Sequence, residues 1–130
     1  MQPQPNPNPP KEFAHPVEAK FARLLDFYRI PWEHEPTTFP LSLDEEGNIN
    51  EALTPDFYLS NQDLYIELTT QRQSLITEKN RKIRLLRQNY PHINIKLLNR
   101  RDMRILLIKY GFDAVTGKLI GKPRDVEKSE

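Results

Sequence analysis

A chain of 130 residues with no cysteine and a net charge of +1 is sized for one domain and excludes disulfides and thiolate metal sites. No apolar run approaches the ~18 residues that a membrane span needs, and the N-terminus lacks the basic-then-apolar pattern of a secretory signal. A cytoplasmic protein with no membrane partner is expected, and any metal would rest on oxygen or imidazole ligands.

The near-neutral charge conceals a split. Residues 1 to 70 carry 4 Lys or Arg against 12 Asp or Glu, residues 71 to 110 carry 11 against 2, and residues 111 to 130 carry 4 of each. A basic segment of that density suits a polyanion, with the acidic half either structural or a holder of cations. The plainer alternative is a helix solvated by its own Lys and Arg.

In chain order, MQPQPNPNPP offers no apolar residue beyond Met1, so residues 1–14 are expected as a disordered arm outside the fold. Val17, Phe21, Leu24, Leu25 and Tyr28 recur at helical spacing behind Pro16 and predict a first helix, ended at Ile30-Pro31. Residues 32–43 read as extended, and DEEGN (44–48) marks a turn leading toward Leu53. TPDFYLSNQDLYIELT (54–69) reads as a second hairpin. A helix follows from near Leu75 to Tyr90, stopped by Pro91, then a short buried strand over 92–98. Asp102 caps a third helix with Met103, Leu106, Leu107 and Tyr110, ended by Gly111. Residues 112–130 are expected to be a flexible tail. Residues 15–111 then form an α/β domain with a mixed sheet of about four strands flanked by helices.

If Asn61-Gln62 forms the turn of the second hairpin, residues whose numbers sum to 123 oppose one another. Tyr58 then meets Tyr65, and Asp56 meets Glu67. Phe57, Leu59, Leu64, Ile66 and Leu68 share one face; Asp56, Tyr58, Tyr65, Glu67 and Thr69 share the other. Like charges directly opposed destabilise a sheet. Either one carboxyl is protonated, or a cation sits between them, for which Mg²⁺ or Mn²⁺ suits the oxygen ligands. The alternative is an ordinary exposed strand face, with Glu67 paired to a nearby Lys or Arg.

Two further residues can reach the same place. Glu18 lies at the edge of the first helix's apolar stripe. Lys79 falls inside the arc of Ile76, Ile83, Leu86 and Tyr90 on the second helix. A charge in an apolar seam is costly unless it snorkels to water or meets a partner.

Pro55-Asp56, a strand, and Glu67-Leu68-Thr69, with a helix before and after, resemble the PD-(D/E)XK nuclease superfamily over roughly residues 16 to 110. The resemblance implies a restriction endonuclease-like core and hydrolysis of DNA phosphodiester bonds. It makes Asp56, Glu67, the Leu68 carbonyl and Glu18 the Mg²⁺ (or Mn²⁺) ligands, and it is compatible with a homodimer. Where the family has lysine this chain has Thr69, and Lys79 is the candidate substitute, as in members that supply the lysine from the next helix. The departure leaves two readings, a metal-dependent nuclease and a catalytically inactive nucleic-acid-binding or adaptor protein. Either would use a basic face of Arg72, Arg81, Lys82, Arg84, Arg87, Arg100, Arg101 and Arg104. No GxGxxG or Walker loop is present, and His15, His34 and His92 lack helical zinc spacing, so His34 and His92 read as strand residues.

Overall fold

The structure is a computed structural model and describes residues 1–69, 73–103 and 105, with only the backbone at 73 and 74. Its elements in order are β1 (Gln4–Pro5), α1 (Pro16–Phe27), β2 (Glu33–His34), β3 (Thr37–Leu43), β4 (Ile49–Leu53), β5 (Phe57–Leu59), β6 (Leu64–Leu68), α2 (Gln73–Asn89) and β7 (Ile95–Leu98). They make a three-stranded sheet, β1-β3-β4, and a four-stranded sheet, β2-β5-β6-β7. The second sheet is mixed, because β6 and β7 run parallel across the α2 crossover while its other pairs are antiparallel. No helix among the described residues is long and apolar enough to cross a membrane.

Helix α1 starts where Pro16 supplies a preset φ at the first turn. It ends in a Schellman motif, with Ile30 N–H donating to the Leu25 carbonyl and Arg29 N–H to that of Asp26. Arg29 takes the left-handed conformation at φ 58°, and Ile30 and Leu25 meet in the core as that motif favours. In the DEEGN turn the Asp44 carboxylate accepts from the N–H groups of Glu46 and Asn48, while Gly47 supplies φ 84°.

Hairpin β5–β6 has the register its alternation predicts, Phe57 opposite Ile66, Tyr58 opposite Tyr65 and Leu59 opposite Leu64. Residues 60–63 form a four-residue loop in which Gln62 N–H donates to the Leu59 carbonyl. Asp63 closes it in the left-handed conformation. Both faces of the hairpin are covered. Phe57, Leu59, Leu64, Ile66 and Leu68 pack on Phe21, Ala22 and Leu25 of α1, with Leu98 and Met103. On the other face Tyr65 packs with Ile83, Leu86 and Tyr90 of α2 and with Phe39, Leu41 and Leu53 of the three-stranded sheet.

Helix α2 is also tied to β3 by hydrogen bonds, Tyr90 Oη to the Pro40 carbonyl at 2.8 Å and Asn89 Nδ2 to the Leu41 carbonyl at 2.9 Å. These lie beside the register shift between Pro40 and Ser42.

The proline-rich arm differs from expectation. Gln4 and Pro5 pair with Thr38 and Thr37, and Asn6 donates to the Glu35 carbonyl, so strand-edge hydrogen bonds recruit a segment that has no apolar surface to bury. Phe13 also packs on the α1-side core. Residues 100 to 103 are helical and Met103 is buried. The remainder of the expected third helix, residues 106–111, and the tail expected over 112–130 lie outside the described residues.

Phe57 is fully buried and touches the rings of Phe13, Phe21, Trp32 and His34. Phe57→Ala is expected to cost about 3–5 kcal/mol by loss of transfer energy and creation of a cavity. A lower urea midpoint at an unchanged slope would report it.

Candidate metal centre

Asp56 lies just before β5 and Glu67 lies in β6, so the hairpin register extended by one pair sets them side by side. Their carboxylates are held by reciprocal main-chain bonds: Asp56 N–H donates to Glu67 Oε1 at 3.2 Å, and Leu68 N–H donates to Asp56 Oδ2 at 2.8 Å. One oxygen of each carboxylate is thereby fixed. Glu67 is 5% exposed, and burial, more than the neighbouring Asp56 charge, lifts its pKa to about 7 against the opposing pull of Lys79. Asp56 is likewise pushed up, by burial first and by the charge of Glu18, against the Leu68 hydrogen bond.

Lys79, its side chain 23% exposed, turns from its place in the α2 seam back over the end of β6. Its Nζ lies 3.1 Å from Glu67 Oε2 and 2.7 Å from the Leu68 carbonyl. The ammonium thus occupies two of the oxygens assigned to a metal, and it is the cation beside the like-charged pair. The donors match a hard dication in kind, since Asp56, Glu67 and the Leu68 carbonyl all offer oxygen. A metal on Glu67 Oε2 or Leu68 O would require Lys79 to give up that contact.

Glu18, 4% exposed on α1, bonds elsewhere. Its Oε1 lies 2.9 Å from His34 Nε2, and Glu35 Oε2 lies 3.6 Å from the same nitrogen. Glu18 still lines the cleft of about 180 Å³ that also has Glu35, Asp56, Leu68, Thr69 and Lys79 in its walls. His34 and Glu35 carry no signature in the sequence. The first sits in a two-residue strand, and the second enters beside Asp56 because Glu35 N–H donates to the Asp56 carbonyl. Glu35 adopts φ 47°, an uncommon conformation for a non-glycine residue. Thr69 is buried and its N–H donates to the Leu98 carbonyl.

Among the described residues, several members of the expected basic face have protein partners. Arg81 is engaged by Glu51 and Glu78, Arg87 donates to the Ile95 carbonyl, and Lys82 reaches the Ala52 carbonyl. Arg84, Arg87, Arg100 and Arg101 are exposed. Arg72 and Arg104 lie outside the described residues.

The chain is thus an α/β protein whose mixed sheet carries a carboxylate-lined cleft at the end of β6. No family model, curated protein or solved structure matches it.

Proposed function

We propose that the protein is a metal-dependent nuclease hydrolysing DNA phosphodiester bonds, a variant of the PD-(D/E)XK pattern whose lysine comes from α2. The observation that carries this reading is the contact of Lys79 with both Glu67 and the Leu68 carbonyl, at a cleft that Lys79, Leu68 and Asp56 line. A lysine drawn from a helix seam onto a motif carboxylate supplies the positive partner that Thr69 cannot. Mg²⁺ held by Asp56 and Glu67 would supply Lewis-acid polarisation of a phosphate oxygen. Lys79 would hold its ammonium where charge develops on the phosphate. Exposed Arg84, Arg100 and Arg101 would track the backbone.

The full chain with Mg²⁺ or Mn²⁺ should cleave at least one of duplex, single-stranded and branched DNA, and EDTA should stop it. Binding measured without cleavage should weaken steeply with salt, since each phosphate contact releases counterions. Salt-dependent binding with every DNA left intact would assign the chain to the inactive binding class. Neither binding nor cleavage would remove nucleic acid from its function.

A further inference from the structure

We infer that Glu18, His34 and Glu35 form a second cation site, for a first-row transition-metal dication, separate from the Asp56–Glu67 pair. One ligand atom from each of the three lies within 4.8 Å of the others. His34 Nε2 stands between two carboxylate oxygens, at 2.9 Å from Glu18 and 3.6 Å from Glu35. Ligands ~2.1 Å from a metal on adjacent octahedral positions are ~3 Å apart, so small side-chain movements close the set.

A hydrogen bond alone does not account for the arrangement. Nε2 carries at most one hydrogen, and the bond to Glu18 uses it, which leaves the Glu35 oxygen beyond hydrogen-bond reach of the imidazole. Two carboxylates, those of Glu18 and Glu35, thus share one imidazole nitrogen. Lys79 is committed to the neighbouring pair. The His34 ring is fixed edge-on against Phe13 at 4.6 Å, and the adjoining cleft leaves room for water to complete a coordination shell.

The donor set decides the class of ion. Mg²⁺ favours oxygen ligands throughout, whereas one imidazole beside two carboxylates shifts preference toward Mn²⁺, Fe²⁺ or Zn²⁺. The site needs no nuclease activity to exist, so it stands apart from the reading above.

Mn²⁺ binding to the untagged full chain, without DNA, tests it by calorimetry and by paramagnetic broadening of histidine resonances. Two Mn²⁺ sites are expected. Asp56→Asn should weaken one, and His34→Gln should weaken the other at least tenfold while keeping a hydrogen bond to Glu18. His34 should broaden at substoichiometric Mn²⁺, in wild type and in Asp56→Asn, while His92 stays sharp, and excess Mg²⁺ should not reverse it. Should His34→Gln fail to fold, Glu35→Gln, altered at a more exposed side chain, should show the same loss. Mn²⁺ affinity and stoichiometry unchanged in both variants, or an unbroadened His34 in the saturated chain, would overturn the inference. Loss of the site in His34→Gln with no cleavage in any variant keeps the cation site and removes the nuclease reading. Mg²⁺-supported cleavage with Mn²⁺ binding indifferent to His34 and Glu35 does the reverse.

Discussion

Glu67→Gln is expected to raise the stability of the metal-free protein at pH 8 while lowering divalent-dependent DNA cleavage on the order of 10³-fold or more. The pKa of Glu67 rises from 4.5 to about 7 on folding, chiefly through burial and then through Asp56. Between those values the folded chain holds a proton that the unfolded chain has released, so stability falls as pH rises from 4.5 to 7 and stays low above it. A shift of that size is worth on the order of 3 kcal/mol. Asp56, also raised, contributes in the same direction. Glutamine cannot ionise, and with its oxygen toward the Asp56 N–H its amide nitrogen faces Lys79, whose ammonium keeps the Leu68 carbonyl and turns otherwise to water. Melting curves in EDTA from pH 5 to 8.5 should therefore fall with pH for the native chain and run flatter for the variant. Added Mg²⁺ should help the native chain most at high pH, where the carboxylates are ready to bind it. A variant less stable than the native chain at pH 8, or one that still cleaves DNA, would remove Glu67 from the role given to it.

Lys79→Met should reduce cleavage 10²- to 10⁴-fold, the range for losing a positioned acid or charge-stabilising group, without weakening Mn²⁺ binding. Methionine continues the seam of Ile83, Leu86 and Tyr90 and frees the Leu68 carbonyl and Glu67 Oε2. The buried carboxylate then loses its cation, and removing one member of such a pair costs more than the pair contributes. Stability should drop at pH 8 and recover when Glu67→Gln is added, a coupling that a double-mutant cycle measures. Native turnover in Lys79→Met, with that coupling intact, would make the lysine a structural counter-ion and the protein's chemistry something other than this.

The hairpin was legible because its alternation leaves one register that buries Phe57, Leu59, Leu64 and Ile66 together. Lys79 was legible for the opposite reason, as a charge that breaks an apolar seam. Residues without such a conflict were not. His34 meets Glu18 across 16 positions, in a strand too short to show a period, and no spacing rule joins α1 to β2. The pairing of β1 was hidden as well, since it rests on main-chain hydrogen bonds that composition does not register. Charge density does not show which arginines are engaged, because a count cannot tell Arg81, paired with Glu51 and Glu78, from exposed Arg84.

The grip of α2 on β3 also bears on how copies of this chain can meet. Tyr90 and Asn89 occupy the carbonyls of Pro40 and Leu41, and Pro40 has no N–H to offer. An incoming strand laid along that stretch would find its acceptors taken and a donor missing. β3 is the inner strand of its sheet, and past the two residues that β1 pairs the helix that carries Lys79 supplies the donors, on the kind of stretch where an unpaired strand would invite sheet extension.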